Sequence, residues 1–479
     1  METRQVDAAI IGAGTAGLNA RKELEKAGKE WVMIESGPYG TTCARVGCMP
    51  SKLLIAAAES AHEVDRSEMF GIRTPPSETH VDGPAVMERV RRERDRFAGF
   101  VVESTEAIPE HKRIRGHARF TGPRTLVVDG ELEIEAETIV IATGSSPWIP
   151  PSLEGIEEDV IVNDDLFEFE DLPDSIAVVG TGVIGLELGQ ALDRLGVETQ
   201  FFNPFNDLGI FTDPVVDGKA HEVFDEQLNL HLQTEIFQTD RVDGGYLVRW
   251  RDEEGGEHEG VFDEVLSAAG RRPNLEDLNL EATGLERDSR GVPLFDHRTM
   301  QCGDSPIFIA GDAAGHRPVL HEASDEGRIA GANAADYPEV NAAVRRTEMA
   351  VVFSQPQMAI VGQRFAHLDR EDIAVGEVSY DNQGRSRVMG INKGLVRLYA
   401  WREGCSFIGA EMFGPRVEHT AHLLAWAAQK NMEVQEMLKM PYYHPVVEEG
   451  IRTGLRDLAE ELKVSGRCRP EDCSETPGA

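Results

Sequence analysis

Residues 6–17 read VDAAIIGAGTAG, an apolar run that leads directly into three glycines spaced as GxGxxG. The run is typical of a buried parallel strand, and a helical pattern follows the glycines. In such a unit the first glycine permits the turn, the second lets a pyrophosphate approach, and the third allows close packing of helix and strand. Glu35 ends the next predicted strand, 23 positions after the first glycine, where a carboxylate can accept hydrogen bonds from a ribose. We therefore predict a dinucleotide site that contains Gly12, Gly14, Gly17 and Glu35.

The same pattern occurs again in residues 175–203. The strand SIAVV precedes GTGVIG at 180–185, and the next strand ends at Asn203, again 23 positions after the first glycine. One GxGxxG is weak evidence because glycine-rich turns are common, but two copies with the same spacing and context are strong evidence for nucleotides. They suggest one bound flavin dinucleotide and one exchangeable nicotinamide dinucleotide. The second site is predicted to contain Gly180, Gly182, Gly185 and Asn203.

Three further predicted strands end in small residues or a carboxylate. Residues 139–142 lead into the turn TGS at 143–145, and residues 265–270 end in a similar turn before RRPN. Residues 307–312, IFIAGD, deliver a carboxylate at the end of a strand. The candidate residues at these ends are Thr143, Gly144, Ser145, Gly270 and Asp312.

The composition of the 479-residue chain excludes several classes of protein. A net charge of −36 repels nucleic acid and anionic membranes, so neither is an expected partner. The longest apolar runs, such as AHLLAWAA at 421–428, are shorter than the ~20 residues of a membrane helix. The N-terminus passes directly into the first strand without the features of a secretory signal, so we expect a cytoplasmic protein.

Residues 40–54, GTTCARVGCMPSKLL, place Cys43 and Cys48 five positions apart at the start of an apparent helix. Five helical positions span about 7.5 Å, whereas disulfide-bonded Cα atoms lie within about 6.8 Å of each other. A bridge therefore requires a distorted or non-helical first turn, and a strained bridge is easier to reduce. The helix N-terminus also lowers the pKa of a thiol.

A redox role for this pair competes with a metal site and with two inert thiols. Six cysteines in the chain are too few for a disulfide scaffold, and a close pair in a reducing compartment is redox-active or metal-binding. Zinc needs further Cys or His ligands, and none lies nearby in sequence. We favour the redox role and predict no metal. The other cysteines are Cys302, Cys405, Cys468 and Cys473.

A thiol–disulfide couple that exchanges protons near neutral pH requires a base. His444, in YYHPVVEE at 442–449, is of the side-chain type whose ordinary pKa is near 6.5. Glu448 and Glu449 are candidates for the carboxylate that orients it. A histidine before proline is by itself more often structural, so the argument for His444 depends on the cysteine pair.

Taken together, these motifs resemble the FAD-dependent pyridine nucleotide–disulfide oxidoreductases. The resemblance covers residues 5–463 and includes CARVGCMPSK at 43–52, both GxGxxG units, AGD at 310–312 and HPVVEE at 444–449. Within the family, three segments are most similar to the dihydrolipoyl dehydrogenases: GVIGLELG, LHEASDEGRIAG and MPYYHPVVEEGIRTGLRD.

The resemblance implies a role for each site residue. Cys43 is the thiol that exchanges with the substrate, and Cys48 is the thiolate held against the flavin. His444 is the base, reaching the site from the other subunit of a homodimer with Glu449 as its partner. The implied cofactor ligands are Lys52 near flavin N5 with Glu187 beside it, Glu35 at the FAD ribose, the Ala118 backbone at the adenine, Asp312 at the ribityl chain, and Thr42 and Leu320.

The resemblance also implies a reaction. Dihydrolipoyl groups, on a carrier protein or as free dihydrolipoamide, are reoxidised to the disulfide while FAD passes a hydride to NAD⁺. Asn203 replaces the acid usual at the NAD ribose, but no arginine lies in residues 203–213, so NAD is favoured over NADP. Another NAD(P)H-dependent flavin disulfide reductase, of the glutathione, thioredoxin or mercuric type, and a non-catalytic flavin-loaded dimer remain alternatives.

The expected architecture is α/β, with two Rossmann-like dinucleotide-binding domains and a C-terminal α+β dimerisation domain. The predicted segments are 1–149 (FAD-binding, first part), 150–275 (NAD-binding), 276–346 (FAD/central, second part), 347–464 (dimerisation) and 465–479 (disordered tail).

The resemblance also has an exception near the cysteine pair: Thr41 stands where the family commonly has glycine.

Overall fold

The computed structural model describes residues 2–73 and 80–464. The predicted disorder of 465–479, and with it Cys468 and Cys473, lies outside the described residues. The helices are α1 (Thr15–Lys26), α2 (Thr42–Arg45), α3 (Cys48–Asp65), α4 (Gly83–Glu106), α5 (Asn163–Leu166), α6 (Val183–Arg194), α7 (Pro214–Phe224), α8 (Leu320–Asp336), α9 (Gly384–Val388), α10 (Val417–Gln429), α11 (Val434–Lys439) and α12 (Glu449–Glu461).

In the described part of the chain, the strands belong to five sheets. They are β1 (Glu2–Ile11), β2 (Trp31–Glu35), β3 (Arg113–Arg115), β4 (Ala118–Gly122), β5 (Thr125–Val128), β6 (Leu132–Ile141), β7 (Ser145–Pro147), β8 (Ser175–Val179), β9 (Glu198–Phe202), β10 (Asn229–His231), β11 (Glu235–Val242), β12 (Gly245–Arg251), β13 (Glu257–Phe262), β14 (Glu264–Ser267), β15 (Arg271–Pro273), β16 (Ile307–Ile309), β17 (Met349–Val352), β18 (Gln357–Gly362), β19 (Ile373–Ser379), β20 (Leu395–Trp401) and β21 (Phe407–Gly414).

The first sheet has the order β3-β2-β1-β6-β5-β4, with β16 also beside β6. Strands β1, β2, β3, β6 and β16 are parallel, whereas β4 and β5 are antiparallel. The apolar run of β1 is explained by burial on both faces, since Ala8, Ala9 and Ile10 are fully buried. Helices α1 and α8 pack against each other over this sheet. The unit β1-α1-β2 is the one predicted from the first GxGxxG.

The second sheet, β10-β9-β8-β14, is also parallel, and α6 follows β8 as the second GxGxxG predicts. Strands β11, β12 and β13 form a separate antiparallel sheet. Phe202 of β9 meets Trp250 and Phe262 of that sheet, with ring centroids 4.9 and 6.1 Å away. A small core therefore lies between the two sheets.

The C-terminal part contains an antiparallel sheet in the order β17-β18-β21-β20-β19. Helix α10 packs on β18 and β21, and α12 packs on β19 and β20. Together with the two parallel sheets, this arrangement confirms the predicted fold class. No helix within the described residues is both long and apolar enough to cross a membrane.

Candidate active site

The three glycines of the first GxGxxG differ in their surroundings. Gly12 has φ +110°, and a Cβ atom there would lie 2.2 Å from the carbonyl oxygen of Ala142. Gly14 faces open space, and a Cβ atom there would have no neighbour within 4 Å. A Cβ atom at Gly17 would lie 2.0 Å from the carbonyl oxygen of Gly12. The loop is therefore tight where helix and strand meet and open where a pyrophosphate would approach.

The second loop repeats this geometry. Gly180 has φ +111°, Gly182 faces open space, and a Cβ atom at Gly185 would lie 2.0 Å from the carbonyl oxygen of Gly180. Both loops thus have the shape that a dinucleotide requires.

Glu35 lies at the carboxyl end of β2, beside the first loop. Its Oε2 accepts a hydrogen bond from the Ala13 N–H at 2.7 Å, and its Oε1 accepts one from the Gly37 N–H at 2.7 Å. Its backbone carbonyl accepts the Gly116 N–H at 3.1 Å, so the short segment that leads from β3 to Ala118 starts beside Glu35. Ala118 itself is the buried first residue of β4.

Asn203 occupies the corresponding place beside the second loop. Its Nδ2 donates to Thr181 Oγ1 at 2.6 Å and to the Asp207 carbonyl at 3.1 Å, and its Oδ1 accepts from the Phe205 N–H at 3.2 Å. Both amide hydrogens are therefore used within the protein. The ribose contact predicted for Asn203 is limited to the second lone pair of Oδ1.

The turn after β6 and the end of β16 meet in one network. Ser145 Oγ donates to Asp312 Oδ2 at 2.8 Å, and Arg271 donates to Ser145 Oγ at 2.9 Å and to the Ser145 carbonyl at 2.6 Å. Thr143 Oγ1 is buried and has no hydrogen-bond partner among the described residues. An unpaired hydroxyl beside an oriented carboxylate fits a polar cofactor such as the ribityl chain of FAD.

The helix is interrupted between the two cysteines, in residues 43–48, which we call the cysteine turn. Helix α2 ends at Arg45 and α3 begins at Cys48, while Gly47 between them has φ −131° and ψ −117°. This is the non-helical turn that a Cys43–Cys48 bridge was predicted to need. Both cysteines are free thiols here, Cys43 half-buried and Cys48 exposed.

The two thiols interact and differ in acidity. A hydrogen bond from the Cys43 thiol, and then the positive charge of Lys52, lower the pKa of Cys48 to about 7, against the opposing effect of desolvation by the surrounding protein. The same hydrogen bond to Cys48 and burial raise the pKa of Cys43 far above its ordinary value. Cys48 is thus the better thiolate and the better leaving group of the pair.

Lys52 lies one turn after Cys48 and is held from two sides. Its Nζ is 2.7 Å from Glu187 Oε2 and 4.5 Å from the centroid of the Phe353 ring. Glu187 is buried, and its Oε1 accepts the Phe353 N–H at 3.0 Å. The expected pairing of Lys52 with Glu187 is therefore present, and it joins α3 to α6.

His444 is held by one carboxylate. Its Nδ1 lies 3.0 Å from both Oε1 and Oε2 of Glu449, and its side chain is 80% exposed. The hydrogen bond to His444 is the main cause that lowers the pKa of Glu449. Of the two candidate carboxylates, Glu449 is the one bonded to the imidazole. Within the described chain, no hydrogen bond or ion pair of His444 reaches the cysteine turn.

The other predicted ligands occupy loop and helix ends. Gly144 and Gly270 have φ +71° and +122°, and both face open space. Thr42 and Leu320 are the exposed first residues of α2 and α8. Among the described residues, no group of three or more His, Cys, Asp or Glu side chains could hold a metal.

Sequence reasoning missed two side chains that shape this site. Arg271 belongs to the RRPN motif, but the sequence assigned it no role, because its contact partner Ser145 lies 126 positions away in the chain. Phe353 had no sequence signal, since its ring is brought over Lys52 only by the packing of β17 near α6.

Comparison with known proteins assigns the family. The family described as "Pyridine nucleotide-disulphide oxidoreductase" matches residues 6–327, and the dimerisation domain of the same family matches residues 349–454. The first match alone spans more than half of the chain. The protein therefore belongs to the pyridine nucleotide-disulphide oxidoreductases, flavoproteins that use FAD and NAD(P). The second match supports a homodimer.

Relatives of known name cover almost the whole chain. A dihydrolipoyl dehydrogenase of Haloferax volcanii is 30% identical, covering 92% of this chain and 94% of its own. A mercuric reductase of Acidithiobacillus ferrooxidans is 28% identical, covering 97% and 85%. The crystal structure of LpdA from Mycobacterium tuberculosis matches with a TM-score of 0.79 at 23% identity, covering 95% and 99%, and supports the fold.

Proposed function

We propose that this protein is a dihydrolipoyl dehydrogenase, which reoxidises dihydrolipoyl groups and passes the electrons through FAD to NAD⁺. The observation that carries the proposal is the pair formed by His444 and Glu449. A carboxylate on Nδ1 fixes the tautomer and leaves Nε2 exposed as a proton acceptor. A dithiol substrate must lose two thiol protons, so it requires such a base.

The thiol chemistry follows from the unequal acidity of the two cysteines. A substrate thiolate attacks the Cys43 sulfur of the Cys43–Cys48 disulfide, a mixed disulfide forms, and Cys48 leaves as a thiolate. Because a leaving thiol of low pKa leaves faster, the pKa of about 7 suits Cys48 to this part. The second substrate thiolate then attacks the mixed disulfide and releases Cys43 together with the oxidised substrate. His444 of the other subunit takes up the protons.

Bound FAD would supply the two-electron acceptor and hydride donor that protein side chains lack. We propose that Glu35, Ala118, Ser145 and Asp312 orient it, and that Lys52 places a positive charge beside its ring. In this scheme residues 1–149 and 276–346 hold FAD, 150–275 hold NAD, 347–464 pair with the second subunit, and the protein is cytoplasmic. The remaining proposed cofactor ligands are Gly12, Gly14, Gly17, Thr42, Thr143, Gly144, Gly180, Gly182, Gly185, Glu187, Asn203, Gly270 and Leu320.

We further propose NAD rather than NADP as the nucleotide. Residues 203–213 contain neither lysine nor arginine, so a 2′-phosphate would meet no cation in this segment. Asn203 keeps one acceptor site for a ribose hydroxyl.

The test compares dihydrolipoamide and glutathione as reductants, each with NAD⁺ and NADP⁺, on the flavin-loaded dimer. Dihydrolipoamide with NAD⁺ is expected to give the highest kcat/KM. His444→Gln should lower that value about 10²-fold or more, the range for loss of a general base. His258→Gln is the matched control, because His258 also pairs with a carboxylate, Asp252 at 2.7 Å, far from the thiols in sequence. Equal losses in both variants, or faster turnover with glutathione, would refute the proposal.

A second candidate is a metal-ion reductase, supported by the mercuric reductase relative. It predicts NADPH-dependent reduction of Hg²⁺ that is unaffected by His444→Gln, because no substrate thiol proton has to be removed. Dihydrolipoamide turnover without such activity rejects it.

A further inference from the structure

The carbonyl group of Val46 lies in the cysteine turn and has lost its usual partner. In a continuous helix this carbonyl would accept the N–H of residue 50. Residue 50 is proline, which has no N–H, and the chain is already bent at Gly47. Val46 is only 6% exposed, so an unpaired carbonyl here would be destabilising.

Asn163 provides the missing donor from a distant part of the chain. Its Nδ2 donates to the Val46 carbonyl at 2.6 Å, across 117 positions of sequence. Asn163 is the first residue of α5 and is only 5% exposed. Its other amide hydrogen bonds Asp164 Oδ1 at 3.0 Å, and its Oδ1 accepts from Arg271 Nη1 at 3.4 Å. A flipped amide would place oxygen against oxygen and nitrogen against a cation, so these partners fix one orientation.

Arg271 extends the connection to the predicted flavin ligands. The same guanidinium that reaches Asn163 also binds both the hydroxyl and the carbonyl of Ser145, and Ser145 donates to Asp312. A continuous series of hydrogen bonds therefore runs from the cysteine turn to the carboxylate at the end of β16.

We propose that Asn163 is a positioning residue for the redox-active cysteines. Its amide holds the turn in which Cys43 and Cys48 face each other. Through Arg271 it keeps that turn at a fixed separation from the flavin-binding carboxylate. The proposal rests on the redox pair of the proposed function but is independent of its dihydrolipoyl substrate.

The consequence concerns the acidity of Cys48. The groups that act on this thiol are Cys43 from α2, Lys52 from its own helix and Glu187 from α6. The hydrogen bond from Cys43 is the largest of these effects, and it exists only while the turn keeps the two sulfurs together. When Asn163 is lost, the Val46 carbonyl must turn toward water, the sulfurs separate, and the pKa of Cys48 moves toward the ~8.5 of a free thiol.

The test measures how fast iodoacetamide alkylates Cys48 as a function of pH in the reduced, flavin-loaded dimer, with the modified peptide identified by mass spectrometry. In the wild type the midpoint is expected near pH 7. Asn163→Ser removes the amide without adding charge and should raise the midpoint by about one pH unit. The matched control is Asn333→Ser, because Asn333 is equally buried and its Nδ2 also donates to backbone carbonyls, those of Thr299 and Asn341.

An unchanged midpoint in flavin-loaded Asn163→Ser, or an equal change in Asn333→Ser, would overturn the proposal. If Asn163→Ser fails to retain flavin, the same measurement is made on Asn163→Thr, which fills more of the site and also lacks the amide. An unchanged alkylation midpoint in that variant would likewise overturn the proposal. Because alkylation needs no dithiol substrate, absence of dihydrolipoamide turnover in the wild type would refute the proposed function and leave this measurement valid.

Discussion

Lys52 Nζ lies 2.7 Å from Glu187 Oε2, so the helix that begins with Cys48 is fastened to the helix that follows the second nucleotide loop. Lys52 is one-third exposed and Glu187 is buried. The ion pair therefore ties the helix of Cys48 to α6, and it keeps a positive charge near the Cys48 thiol.

The first prediction concerns that charge. The Cys43 hydrogen bond and then Lys52 lower the pKa of Cys48, while Glu187 raises it. Lys52→Met removes the cation and leaves the carboxylate of Glu187 in place. Loss of the positive charge and the remaining negative charge both raise the pKa of Cys48 above about 7, so a smaller fraction of Cys48 is thiolate at neutral pH. The alkylation midpoint of Cys48 should move to higher pH. The control is Lys26→Met, because Lys26 is an exposed lysine that also has a glutamate 2.7 Å away; this substitution should leave the alkylation midpoint of Cys48 unchanged. A midpoint that moves to lower pH in Lys52→Met would contradict the prediction.

The second prediction concerns Thr41, which has φ 59° and ψ 148°. This region is costly for a β-branched residue and favourable for glycine. Thr41→Gly should raise the free energy of unfolding by about 1 kcal/mol, measured by urea titration of the flavin-loaded protein. Thr42→Gly, one residue later and inside α2, should lower it because glycine disfavours helix. Destabilisation by both substitutions would show that Thr41 is not strained.

The third prediction concerns the contact of α7 with the C-terminal sheet. Asp213 has no exposed surface and accepts hydrogen bonds from Arg397 at 2.7 Å and from the Tyr399 hydroxyl at 2.8 Å. Arg397→Met leaves a buried charge without its main partner and should lower the free energy of unfolding by about 3–5 kcal/mol. Arg402→Met removes an exposed pair with Glu461 and should cost less than about 1 kcal/mol. Similar losses of unfolding free energy in the two variants would mean that the buried pair stabilises the fold no more than the exposed pair does.

The fourth prediction concerns salt. Each chain has a net charge of −36, so two chains repel each other as they associate. Added salt screens this repulsion, and the dissociation constant of the dimer should fall as NaCl is raised from low to physiological concentration and beyond. Sedimentation measurements check this, with sucrose as an uncharged control. A dimer that weakens with salt would contradict the prediction.

The parts of the site that sequence predicts are the local ones. GxGxxG specifies a turn through glycines a few positions apart, and the structure has that turn twice. The carboxylate partner of His444 lies within the same short segment, so only Glu448 and Glu449 had to be compared. A bridge between Cys43 and Cys48 would require a break in the helix, and the helix is broken at Gly47.

The remaining features depend on contacts between distant segments. Asn163 reaches Val46, and Phe353 covers Lys52, only after the sheets have packed. Asn203 was predicted from its position to face a ribose, but Thr181 and Asp207 engage its amide hydrogens. Spacing places a residue at the end of a strand, whereas the surrounding loops set the neighbours that compete for its hydrogen bonds, here Thr181 of the glycine loop and Asp207 after β9.

In the proposed mechanism, electrons enter the flavin from a dithiol through Cys48. The most direct measurement is anaerobic stopped-flow recording of flavin absorbance in wild type and Cys48→Ser, each mixed with dihydrolipoamide or with NADH. Both reductants are expected to bleach the flavin of the wild type, and only NADH is expected to bleach that of Cys48→Ser. Bleaching of Cys48→Ser by dihydrolipoamide at the wild-type rate would contradict this mechanism.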